Sequence, residues 1–134
     1  MIKIRLENKK EVESALKDLL KKQPMRFSHI DFNSVPEAGG VYLITKINGR
    51  NETPYYVGRS KNMQDRLKEH VNRTGFKRYL VDQNKCSSLK EAKNYALKHC
   101  AVRWLREDNY KARARMEGYF TALLFPKCGI YKEH

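Results

Sequence analysis

The stretch from Gly40 to His70 constrains this chain more than any other. Gly40-Val41-Tyr42-Leu43-Ile44 opens an apolar run, Asn48-Gly49 interrupts it, and a second aromatic run ends in Tyr56-Val57-Gly58. Asn-Gly between two β-rich segments is a strong short-range hairpin signal, so the two runs predict an antiparallel pair. Pro54 is expected at the start of the second strand, where no ladder donor is needed. A helix is expected next, capped by Ser60 or Asn62, with Met63, Leu67 and Val71 on its apolar side. Arg66 and His70 are four residues apart and so share one face of that helix. Two strand tyrosines, an arginine and a histidine converge on one small region. Gly58 leaves room for a close backbone approach, and a helix N-terminus just beyond it would aim N–H groups at an anion.

The flanks supply the rest of a small domain. Ile2, Ile4 and Leu6 alternate with charged residues, the pattern of a short strand. Asn8 and Glu11 form a plausible capping pair for a helix whose core side is Val12, Ala15, Leu16, Leu19 and Leu20, ended by Pro24. Lys9, Lys10, Lys17, Lys21 and Lys22 occupy its other face and read as solvated. Phe27, Ile30 and Phe32 anchor an irregular segment leading to Gly39-Gly40, where the double glycine marks a special conformation or a close approach. Gly75 to Lys98 is least informative; Leu89, Ala92, Ala96 and Leu97 predict a helix capped by Ser87 or Ser88. Ala101, Val102, Trp104 and Leu105 read as a third strand. A last helix is expected over Tyr110 to Leu124, with Ala112, Met116, Phe120, Leu123 and Leu124 as its stripe and Pro126 beyond its end. Glu117 falls at the edge of that stripe, where a carboxylate needs a partner.

Charge narrows the function. The 134 residues carry 28 Lys and Arg against 15 Asp and Glu, a net charge of +13. This excess is the electrostatic footprint of a nucleic-acid binder. A hydrophobic content of 40% suits a soluble globular domain, and no apolar run reaches membrane-spanning length. Three scattered cysteines form no CxxC pair and no zinc spacing, so free thiols in a reducing, cytoplasmic setting are expected.

Taken in order, Gly40-Val41-Tyr42, Tyr56-Val57-Gly58, Arg66, His70 and Glu117 resemble the signature of the GIY-YIG nuclease superfamily. Each triplet alone is weak, since Tyr42 or Tyr56 could equally be a core aromatic, His70 a surface residue and Glu117 an ion-pair partner of Arg113 or Lys111. The joint order is far more specific, and it covers about Pro36 to Gly129. The resemblance implies an α+β fold, with a small three-stranded antiparallel sheet flanked by helices. Residues 36–134 would form the catalytic domain, and residues 1–35 a strand-helix extension packed on it. It also implies hydrolysis of a phosphodiester with one divalent ion, Mg²⁺ or Mn²⁺, held by Glu117. Tyr42 resembles the family's base toward water, Arg66 the phosphate clamp, and Tyr56 a group that orients water or binds phosphate. His70 would relay a proton or touch phosphate, and Gly58, Arg59 and Lys61 would border the substrate. The expected substrate is DNA, with RNA or branched nucleic acid and a non-catalytic nucleic-acid-binding role as alternatives; a homodimer is one way to cut both strands. In the family a conserved asparagine usually follows the late proline. Here Cys128 stands in its place, with Asn84 and Asn109 as conceivable substitutes.

Overall fold

The computed structural model describes residues 1–3 and 6–128. Its elements in order are α1 (Leu6–Lys21), β1 (Met25–Arg26), two 3-10 turns (Phe27–His29 and Phe32–Ser34), β2 (Gly40–Asn48), β3 (Asn51–Ser60), α2 (Met63–Asn72), α3 (Lys77–Asp82), α4 (Leu89–His99), β4 (Cys100–Arg106) and α5 (Tyr110–Leu124). The strands form one antiparallel sheet in the order β1-β4-β2-β3. The expected sheet of three strands is therefore corrected to four. The added strand is the two-residue β1, whose Met25 and Arg26 pair with Val102 and Ala101. Two residues show no alternation, so the sequence carries no strand signal there.

Side chains alternate across the sheet and build two cores. Tyr42, Ile44 and Val102 pack with Met63, Leu67, Phe76, Leu80 and Ala96 of α2, α4 and the segment around α3. Val41, Leu43 and Val57 pack on the other face with Val12, Leu16 and Leu19 of α1 and Met116 and Phe120 of α5. The N-terminal segment thus covers one face of the sheet. Of the span expected as its strand, residues 1–3 carry no strand, Ile4 and Arg5 lie outside the described residues, and Leu6 already begins α1. Asn8 and Glu11 sit inside that helix and do not cap it. A helix satisfies its backbone groups within the segment, whereas a lone strand needs a neighbour.

The hairpin forms with Asn48 opposite Asn51, so the two-residue loop is Gly49-Arg50, one residue later than Asn48-Gly49. Gly49 has φ +61°, the left-handed backbone that a type II′ turn requires at its first central position. Pro54 lies inside β3, not at its start. The register steps there from Ile44–Tyr56 to Thr45–Pro54, which leaves Tyr55 as the extra residue of a β-bulge. A proline without an N–H is tolerated at a bulge on an edge strand. The bulge also lets two successive tyrosines, Tyr55 and Tyr56, pack into the same core. After α5 the chain returns to this point: the amides of Lys127 and Cys128 donate to the carbonyls of Pro54 and Tyr55 at 3.1 and 2.7 Å. Gly40 is a close approach, since a Cβ there would meet Met63 Sδ at 2.2 Å and the Leu105 carbonyl at 2.3 Å.

Elsewhere Asn62, Ser88 and Asn109 cap α2, α4 and α5. Leu123, expected in the stripe of α5, is exposed, while Ala112, Met116 and Phe120 are buried. All three cysteines are buried free thiols. Among the described residues, no helix is long and apolar enough to cross a membrane.

One polar cluster ties the hairpin, β4 and the end of α1 together. The buried Arg103 guanidinium donates to both carboxylate oxygens of Glu52, at 2.9 Å for Nη2. Its Nε donates to the Lys22 carbonyl at 2.8 Å, and Thr45 Oγ1 donates to Glu52 at 2.7 Å. The arginine and its hydrogen bonds hold the Glu52 carboxyl below the usual range. Removing the carboxylate leaves a buried cation unpaired. Glu52→Ala is therefore expected to destabilise the fold by about 2–3 kcal/mol, measured by denaturant unfolding followed through Trp104 fluorescence. A loss below about 0.5 kcal/mol, the scale of an exposed pair, would contradict this account.

Candidate active site

Tyr42 is fully buried near the centre of the sheet, and its ring lies across β3. Its strand partner is Gly58, where a Cβ would meet Tyr42 Oη at 2.3 Å and Cζ at 2.4 Å. Any side chain at that position would push the tyrosine aside. Gly58 is itself buried and makes room for Tyr42. Tyr56, two residues before Gly58, lies on the same face, with its ring stacked 6.2 Å from that of Tyr42.

α2 brings His70 against both rings, at 5.3 Å from Tyr42 and 5.2 Å from Tyr56 between centroids. His70 Nε2 is 2.8 Å from Tyr42 Oη, and its Nδ1 accepts the Phe76 backbone N–H at 2.8 Å. Burial, with Arg66 and Lys77 adding to it, pushes the imidazole down to about 3. The ring is therefore neutral, and because Nδ1 is an acceptor its single proton resides on Nε2. His70 thus donates to Tyr42 Oη. Both of its ring nitrogens are engaged, and like Tyr42 it is fully buried. The Phe76 amide thus fixes the orientation of the ring and leaves Nε2 facing Tyr42.

Arg66, one turn earlier, is partly exposed and ion-paired with Glu69. Burial raises the phenol of Tyr42, and Tyr56 adds to the rise, while the Arg66 charge and its hydrogen bonding oppose it. Tyr56 is raised by burial and likewise opposed by Arg66. The guanidinium is the cation that both phenols feel.

Glu117 reaches the site from α5. Burial raises its carboxyl and Arg59 partly offsets the rise, with Nε 3.9 Å away. Arg59, and not Arg113 or Lys111, is its partner. Both Tyr42 and Tyr56 feel the Glu117 charge. A cavity of about 90 Å³ opens beside the carboxylate, lined also by Tyr56, Tyr79, Thr121 and Cys128. Among the described residues no group of three or more His, Cys, Asp or Glu could hold a metal. A cation here would have Glu117 as its protein ligand, with water and substrate oxygens completing the shell. That donor set fits Mg²⁺, which keeps several waters and uses one or two carboxylates. A half-buried carboxylate whose charge is only partly balanced fits the same ion.

The N-terminus of α2 offers no anion site. Its amides at Met63, Gln64 and Asp65 are taken by the Ala38 and Pro36 carbonyls and by Asn62 Oδ1. Cys128 lies in the cavity wall, where burial pushes its thiol up to about 12. It is a neutral thiol and a weak hydrogen-bonding group. Asn109 caps α5 and is exposed, and Asn84 is exposed in a left-handed turn, so neither takes its place. Tyr79 is the residue that sequence reasoning missed. It stands on α3, which has too few residues to show a period, with its ring 5.8 Å from Tyr56.

Comparison with known proteins places the fold. The model of the GIY-YIG catalytic domain matches residues 38–123. This chain belongs to the GIY-YIG family. Its fold is similar to crystal structures of the GIY-YIG N-terminal endonuclease domain of UvrC from Thermotoga maritima. Two are tyrosine-to-phenylalanine variants, 18% and 19% identical, each at a TM-score of 0.50 over 74% of this chain and 90% of that chain. An asparagine-to-alanine variant matches with 19% identity, the same coverage and the same score. All three are described as bound to the catalytic divalent cation. No match to a curated protein sequence was found.

The assignment of the His70 proton has a direct check. Nitrogen-detected NMR of the imidazoles is expected to show a His70 that is neutral, protonated at Nε2 and untitrated between pH 5 and 8. A His70 titrating near the ordinary value of ~6.5 would contradict it.

Proposed function

We propose that this protein is a divalent-metal-dependent endonuclease that hydrolyses DNA phosphodiester bonds. The observation that carries the reading is the convergence of Tyr42, Tyr56, Arg66 and Glu117 on one edge of the sheet, with Tyr42 fixed by Gly58 and His70. In the hydrolysis a water oxygen bonds to phosphorus as the ester P–O bond breaks. One proton of that water passes to the Tyr42 phenolate, and the departing oxygen takes a proton from solvent. The Arg66 cation and the His70 Nε2–H are the protein groups that favour the phenolate over the buried phenol. Arg66 also faces the phosphoryl oxygens with its planar fork, and Tyr56 orients the water or an oxygen of the phosphate. A divalent ion, Mg²⁺ or Mn²⁺, held by Glu117 supplies Lewis-acid charge where negative charge develops. Arg59 and Lys61, exposed beside Glu117 and at the end of β3, carry neighbouring phosphates.

Residues 36–134 make the catalytic domain in this reading, and residues 1–35 are an extension that covers one face of its sheet. One site per chain predicts nicking by a single molecule; a homodimer would cut both strands. The absence of a spanning helix among the described residues and three free thiols fit a cytoplasmic protein.

A second reading has one observation in its favour. Cys128 offers only a weak bond to the cavity beside Glu117, so the chain would bind nucleic acid without turning it over. Cleavage of supercoiled plasmid with Mg²⁺, with Mn²⁺ and with EDTA separates the two. The nuclease reading expects metal-dependent nicking that Glu117→Ala abolishes while DNA binding stays within a few-fold. Nicking unchanged in that variant would remove Glu117 from the site, and salt-sensitive binding without nicking of plasmid, RNA or branched DNA would favour the second reading.

A further inference from the structure

Arg59 belongs to two places. It faces Glu117, and it also lines an open groove of about 670 Å³ between the end of β3 and the first half of α5. Lys61, Tyr110, Lys111 and Arg115 form much of the groove's wall. Among the described residues Lys61 and Lys111 make no ion pair, and Arg115 is 3.3 Å from Glu11. Tyr110, Ala114 and Glu117 lie at positions i, i+4 and i+7 of α5 and therefore share one face. Tyr110 stands about 10 Å along the helix from Glu117, the length of roughly three stacked nucleotides. Ala114, between them, leaves the floor of the groove low.

Tyr110 is 67% exposed, and Lys111 Nζ lies 6.0 Å from its ring centroid. A lone surface tyrosine needs no explanation. This one sits at the start of a helix, inside a cationic groove that runs in line to the candidate catalytic carboxylate. Cations beside an exposed aromatic ring form a platform for single strands: the charges track the phosphates while a base stacks on the ring. In a perfect duplex the base faces are already stacked and only edges are offered.

We propose that this groove takes a DNA strand with unpaired bases next to the cleaved phosphodiester, its phosphates along Lys61, Lys111 and Arg115 and one base stacked on Tyr110. The inference rests on the nuclease reading for the position of the cut, and it adds a substrate class, splayed or flapped DNA in preference to continuous duplex.

The test is fluorescence anisotropy with the full chain in EDTA, so that cleavage does not enter. The ligands are a splayed-arm DNA and a fully paired DNA of the same sequence. Wild type is expected to bind the splayed form more tightly. Tyr110→Ala should weaken that binding about 10-fold, within the range for loss of one stacked base, and the paired form less than 2-fold. Tyr110→Phe should keep both affinities, because stacking needs the ring and not the hydroxyl. Lys61→Ala with Lys111→Ala should weaken both ligands and lower the salt dependence. Equal effects of Tyr110→Ala on the two ligands, or none, would overturn the proposal, as would unchanged binding in the double lysine variant. Failure of the nuclease reading would appear separately, as plasmid that is never nicked despite Tyr110-dependent binding.

Discussion

The site depends on one contact, the passage of the Tyr42 ring over Gly58. A buried phenol has to satisfy its hydroxyl, and the strand pairing places that hydroxyl where His70 Nε2 meets it at 2.8 Å. His70 is oriented in turn by the Phe76 amide just before α3. A chain of three fixed groups thus runs from the α2–α3 connection to the central strand. Arg66 and Glu117 sit at its outer end, where both side chains are partly exposed. In the proposed reading the edge position of β3 matters as well, because a further strand would cover the side from which a phosphodiester has to approach the tyrosines.

The bulge at Tyr55 closes the site from the other side. It turns two successive tyrosines toward one core and frees two carbonyls that receive the chain after α5. That return places Cys128 in the cavity wall beside Glu117 and Tyr56. Lys77 adds a further support. It is buried, donates from Nζ to the Val71 carbonyl at 3.0 Å, and is pushed down to about 8 by burial and by Lys93. It thereby holds the end of the helix that carries Arg66 and His70.

Much of this was legible in the sequence, for identifiable reasons. The hairpin and α5 carry strong local signals, two apolar runs around a glycine turn and a long 3.6-residue period ending before Pro126. The Tyr42, Tyr56, Arg66, His70 and Glu117 set was legible as a pattern of order, and the structure places those residues around one region. What was hidden depends on tertiary partners. The contact of Gly58 with Tyr42 was hidden because the ring that fills its space comes from another strand. The orientation of His70 was hidden because nothing local shows that the Phe76 amide occupies Nδ1. β1 and α3 are too short to show periodicity, and the start of α1 at Leu6 gives no signal that separates it from the alternation before it.

The most direct test of the account is the single-turnover cleavage rate of Tyr42→Phe against wild type, with saturating Mg²⁺ and DNA. Phenylalanine keeps the ring over Gly58 and removes only the oxygen, so the fold and DNA binding are expected to persist. The account predicts a fall of about 100-fold or more, the scale of losing a positioned general base. A rate within a few-fold of wild type would contradict it and assign the proton to another group.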